Sequence, residues 1–118
     1  MKQPRPLEQA AKVIVNDQLT HGGVRIDPSR AHWAMWGEVD GAVQKRVQAD
    51  LAEHLRRTGE EPLTVDLAEV TFIDSGGLRL LYTAAETKPT PPRLVDAPGK
   101  VLDLLRISGV DTMFVLDN

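Results

Sequence analysis

Leu63-Thr64-Val65-Asp66-Leu67-Ala68-Glu69-Val70-Thr71-Phe72-Ile73-Asp74-Ser75-Gly76-Gly77-Leu78 is the stretch whose reading decides the fold. Residues 63–67 read as a short strand, and Val70-Thr71-Phe72-Ile73 carries apolar and β-branched residues up to Asp74. From about residue 77 to residue 86 the period becomes helical. Arg79, Thr83 and Glu86 fall on one face while Leu78, Leu80, Leu81 and Ala85 fall elsewhere, which describes a largely buried helix with a narrow wet stripe. A strand that runs directly into a helix is the repeating unit of a parallel α/β sheet.

Working back toward the N-terminus, Val43, Val47, Leu51 and Leu55 recur every four residues and give one apolar stripe. Lys45, Arg46, Asp50, Glu53 and Arg57 lie mostly off that stripe. Asp40 is the expected N-cap of this helix, and Thr58-Gly59 its stop. Before it, Val24-Arg25-Ile26 and residues 31–36 read as two strands joined by the turn Asp27-Pro28-Ser29-Arg30. They form a hairpin, and Gly37-Glu38-Val39-Asp40 leads out of it. His21-Gly22-Gly23 reads as a turn, and residues 1–23 as an N-terminal extension or edge element ahead of a domain over residues 24–118.

Toward the C-terminus, residues 88–92 contain three prolines and read as a loop. Arg93-Leu94-Val95 is a brief strand, and Asp96-Ala97-Pro98 opens a final helix through Ser108, with Gly109 as its stop. Residues 112–116 close as a strand. The order is β-β-α-β-α-β-α-β: an α/β fold with a mixed, mostly parallel sheet flanked by helices and joined by right-handed crossovers.

Composition narrows the function. At 118 residues, 42% apolar and 26% charged, the chain has the size and balance of one globular domain with a real core. The net charge of −3 argues against a nucleic-acid binder, because phosphate contacts need clustered Lys and Arg. There is no cysteine, which excludes disulfides, thiolate catalysis and Cys-ligated zinc. The first residues lack the apolar region of a signal peptide, and no stretch approaches the roughly 18 apolar residues of a membrane span. The expectation is a cytoplasmic protein without membrane insertion.

Catalytic readings find little purchase. His21, His32 and His54 show no i, i+4 pairing and no Glu at metal spacing, so no zinc site is expected. His54 is expected to be solvated beside the polar face of its helix, and His32 to alternate within a strand. There is no nucleophile elbow, no Walker lysine and no dinucleotide fingerprint. We therefore expect neither an enzyme nor a cofactor. Trp33 and Trp36 lack a basic surround and read as core or edge packing rather than base-stacking platforms.

Asp74-Ser75-Gly76-Gly77 stands apart. A helix that begins where a strand ends leaves its first N–H groups unpaired at the positive end of the dipole, a ready place for an anion. The two glycines permit a tight turn and close approach by another backbone. Ser and Asp are also among the best capping residues, so four residues alone are read equally well as a cap or as a functional site, and the two can coexist.

The quoted stretch closely resembles the central motif of STAS domains, the anti-sigma factor antagonist family: a hydrophobic strand, Asp-Leu, then Phe-Ile-Asp-Ser before a Gly-Leu. Gly37-Glu38-Val39-Asp40 looks like that family's Gly-Glu-Leu-Asp segment. Val101-Leu102-Asp103-Leu104-Leu105-Arg106-Ile107-Ser108-Gly109-Val110 resembles its last helix. The resemblance covers residues 24–116, in the same element order.

It implies a bacterial signalling role in transcription regulation. The unmodified antagonist binds an anti-sigma factor and frees the sigma factor. The anti-sigma factor is also a serine kinase, phosphorylates the antagonist and is released; a phosphatase resets the system. Ser75 matches the phosphorylated position, with Asp40, Asp74, Gly76 and Gly77 on the switch surface. The family also contains non-phosphorylated accessory, scaffold and ligand-sensing modules, some attached to transporters. Gly76 departs from the second hydroxyl residue common among phosphorylated members, and residues 88–92 are shorter and richer in proline than the family's usual turn.

Overall fold

The computed structural model describes residues 21–118. Five strands and three helices follow the expected order: β1 (Gly22–Ile26), β2 (His32–Val39), α1 (Gly41–Thr58), β3 (Thr64–Ile73), α2 (Ser75–Thr87), β4 (Arg93–Val95), α3 (Gly99–Ile107), a 3-10 turn (Asp111–Met113) and β5 (Val115–Asp117). The extension expected over residues 1–23 lies outside the described residues up to residue 20. Gly22 and Gly23, expected in a turn, are already strand. Gly22 pairs with Gly37, whose φ of 68° is the left-handed backbone that glycine adopts without strain.

Strand order in the sheet equals chain order, β1-β2-β3-β4-β5. β1 runs antiparallel to β2, and every later neighbour is parallel. Each crossover therefore steps the same way, and right-handed connections put all three helices on one face. Burial follows that division. Trp33, Met35, Val39, Val65, Leu67 and Leu94 face the helices and are buried. Arg25, His32, Arg93 and Val115, on the opposite face, are exposed.

The two short runs read within residues 63–73 are one ten-residue strand. It pairs with β2 from Thr64 to Ile73, with register shifts beside Trp36 and Glu38. Those shifts hide the simple alternation that would have announced one strand. Beyond Asp66, no described strand pairs with β3 on its other side, because β4 meets only Thr64, Val65 and Asp66.

The apolar stripe of α1 is buried as its spacing requires: Val43, Val47, Leu51 and Leu55. Its fifth buried residue is His54, which corrects the expectation of a solvated imidazole. Trp33 Nε1–H donates to His54 Nδ1 at 2.9 Å, and His54 Nε2 lies 2.7 Å from the Asp27 carbonyl. With Nδ1 accepting, Nε2 carries the proton and donates, so the ring is neutral with both nitrogens satisfied. Burial, acting first, pushes the His54 pKa down.

Lys88 is a second buried polar group. Its ammonium donates to Thr58 Oγ1 at 2.8 Å and to the Gly59 carbonyl at 2.7 Å, so it ties the end of α2 to the end of α1. The last helix, expected to open at Asp96-Ala97-Pro98 and run through Ser108, has Pro98 as its N-cap and spans Gly99–Ile107. The closing strand is shorter than expected, since Asp111–Met113 takes a 3-10 turn first.

Candidate functional site

Two parallel strands end side by side. Val39 pairs with Ile73, and the Asp74 N–H reaches the Val39 carbonyl at 3.4 Å. At each end an aspartate takes extended backbone and starts a helix: Asp40 for α1 and Asp74 for α2. Ligand and partner sites of α/β sheets gather at this edge, beyond the carboxyl ends of the strands.

Each carboxylate already serves its helix. Asp74 Oδ1 accepts from Gly76 N at 2.8 Å and Gly77 N at 3.2 Å. Asp40 Oδ1 accepts from Ala42 N and Val43 N, both at 3.1 Å. The cap reading of Asp74 is therefore the geometry present, and two of the N–H groups at each helix start that could have welcomed an outside anion are occupied by the chain's own carboxylate. Asp40 Oδ2 also meets His21 Nε2 at 2.7 Å. The Val43 N–H bond, with help from His21, holds the Asp40 carboxyl below its ordinary pKa.

Ser75 is the first residue of α2 and is exposed. Its hydroxyl has no hydrogen-bond partner among the described residues, which leaves it available to an incoming group. Gly76 and Gly77 are needed for proximity rather than for unusual dihedrals, since neither has positive φ. A Cβ on Gly76 would lie 2.6 Å from Gly41 Cα, and one on Gly77 would lie 2.2 Å from the Val39 carbonyl oxygen. Gly76 is therefore the point where the first turns of α1 and α2 touch. A larger residue here meets the Gly41 backbone.

Asp40, Asp74, Ser75, Gly76 and Gly77 thus sit together at one end of the molecule. Two features were not legible in the sequence. His21 joins Asp40 and Glu38, and the three bring potential ligand atoms within 4.8 Å of one another. The strongest donors there already satisfy each other through the His21–Asp40 contact, and no regular spacing of residues 21, 38 and 40 pointed to the grouping. The second feature is a cavity of about 320 Å³ between α1 and α2. Trp33, Leu51 and Leu80 form its floor, and Gln44, Arg79 and Thr83 its rim. It could have been suspected from the small residues Ala49 and Ala52 on α1, which leave room beside the apolar stripe.

Among the described residues no helix is long and apolar enough to cross a membrane. A search of curated proteins gave no match to this chain. A family model described as "Mlab, STAS domain" matches residues 23–117, which takes in every strand but the first residue of β1, all three helices and both capped strand ends. Proteins with this domain are in general binding and regulatory modules rather than catalysts. The chain belongs to the STAS domain family.

Proposed function

We propose that this chain is an anti-sigma factor antagonist: it docks an anti-sigma factor kinase at the paired helix starts and is released when Ser75 is phosphorylated. The observation that carries the reading is the exposed, unpartnered Ser75 hydroxyl between two aspartate-capped strand ends. It needs no cofactor of its own, no nucleic-acid contact and no membrane insertion, and it acts in the bacterial cytoplasm.

The step is a phosphoryl transfer from ATP held by the partner. Ser75 Oγ attacks the γ-phosphorus, the new O–P bond forms, and the bond to the bridging β,γ-oxygen breaks. ADP leaves, and the hydroxyl proton passes to a base on the kinase. The product adds about −1.5 to −2 charges at neutral pH. Asp74 and Asp40 repel that charge, and the nearby helix N–H groups are already bonded to them. A partner surface fitted to a neutral hydroxyl then faces a desolvated dianion, which costs several kcal/mol and releases the complex without refolding. A phosphatase restores the hydroxyl.

Incubation with the cognate kinase and ATP, followed by mass mapping, tests the reading. We expect phosphate on Ser75, binding retained by Ser75→Ala and lost by Ser75→Asp. An unmodified Ser75, with both variants binding alike, sinks it.

A second reading is a non-phosphorylated accessory or ligand-sensing module, such as a transporter-associated subunit. The contact between Gly76 and Gly41 favours it, since it excludes the second hydroxyl residue of many phosphorylated members. Copurification with transport subunits in place of a kinase is its signature.

A further inference from the structure

The described arginines are almost all engaged. Arg25 lies over the Trp36 ring, and Arg46 donates to the Gly22 carbonyl. Arg30 pairs with Glu61, Arg56 and Arg57 with Glu53, Arg93 with Asp117 and Arg106 with Asp103. Arg79 alone among the described arginines has no hydrogen bond, ion pair or ring contact. It is exposed, and it stands four residues after Ser75 on the same helix, at the rim of the cavity between α1 and α2.

We propose that Arg79 is the cation that holds the phosphoryl group of phosphorylated Ser75; this rests on the reading of Ser75 as the phosphoacceptor. Residues i and i+4 of a helix are surface neighbours, and an anion placed N-terminal to a cation is the favourable order. The guanidinium fork matches two phosphoryl oxygens at once. Several other donors at this end are already engaged: Asp74 holds Gly76 N and Gly77 N, and Asp40 holds Ala42 N, Val43 N and His21. Lys45, in the second turn of α1, is the competing cation to be tested, but it is a single point charge on the neighbouring helix.

The pairing has a consequence for docking. Arg79 contributes to the cavity rim while Ser75 is unmodified. Turning toward residue 75 withdraws it from that rim, so one modification changes both the charge at the helix start and the outline of the cavity beside it.

The test installs phosphoserine at position 75 of the full chain by genetic code expansion, so no kinase is required. The second phosphate pKa, near 6 when unperturbed, is followed by phosphorus NMR. Arg79→Gln should raise it by about 0.3 units, the scale of one surface pair, with the difference shrinking in high salt. Lys45→Gln and Arg106→Gln should leave it at the unsubstituted value. An Arg79→Gln titration that matches Arg106→Gln, or a shift carried by Lys45→Gln, overturns the proposal. A chain that no kinase modifies overturns the antagonist reading instead, and leaves this titration readable.

Discussion

Gly76 and Gly41 meet backbone to backbone, but the contact is one-sided. A Cβ on Gly76 would lie 2.6 Å from Gly41 Cα and 2.8 Å from Gly41 N, whereas a Cβ on Gly41 has nothing within 4 Å. The two glycines are therefore unequal partners: α1 could carry a larger residue at its first position, and α2 could not at its second.

That inequality gives a first prediction. Gly76→Ala and Gly76→Ser should each destabilise the protein by about 1–3 kcal/mol, the cost of forcing extra atoms into a packed contact. Gly41→Ala should be neutral or slightly stabilising, since it removes unfolded-state freedom at no steric cost. Urea unfolding of the three variants measures it. Equal losses at positions 41 and 76 contradict the geometry.

The caps give a second. Asp74→Ala should cost about 1 kcal/mol, because Gly76 N and Gly77 N lose their acceptor, while Asp74→Asn should keep most of that stability. Thermal melts of the isolated chain separate this structural loss from any effect on partner binding. An Asp74→Ala variant as stable as the parent excludes the cap.

His54 supplies the pH dependence. Its folded pKa is depressed, chiefly by burial, so the unfolded state takes up a proton first as the solution is acidified. The stability tied to the neutral ring is fully present above the unfolded value of about 6.5, and is lost as pH falls through the lower folded value. Protonation would also turn the Nδ1 acceptor into a donor facing the Trp33 N–H. Stability measured between pH 7 and 5 should fall in the parent and fall less in His54→Gln, whose amide can accept from Trp33 and donate to Asp27. Parallel pH profiles would assign the loss to other groups.

Much of the architecture was legible because it rests on local pattern. Val43, Val47, Leu51 and Leu55 announce α1 by spacing alone, and Asp40 announces its start by residue type; α2 begins two residues before the expected residue 77, with Asp74 rather than Ser75 as its cap. The illegible parts depend on distant pairings. His54 occupies a helix position beside polar residues, and its burial is decided by Trp33 and by a carbonyl 27 residues earlier. Gly76 reads locally as a flexible turn residue, but its reason is Gly41, brought there by the pairing of Val39 with Ile73. Ser75 was legible as a position, whereas its exposure and the filled N–H groups of Gly76 and Gly77 beside it emerge only from the fold.

The mismatch between β3 and β4 makes an interior strand into a border. Among the described residues, β3 from Leu67 onward has a hydrogen-bonded neighbour on one side only, and it carries Phe72 half exposed. An open strand edge is a template on which a second chain can add itself. The molecule blunts it locally. Asp66 Oδ1 takes the Ala68 N–H at 2.9 Å, so that backbone donor is already filled, and Glu69 adds an exposed charge directly after it. Asp66→Ala with Glu69→Val should therefore leave the monomer folded but prone to self-association, visible as concentration-dependent light scattering. Resistance to aggregation, on this view, is written into two acidic residues that contribute nothing to the core.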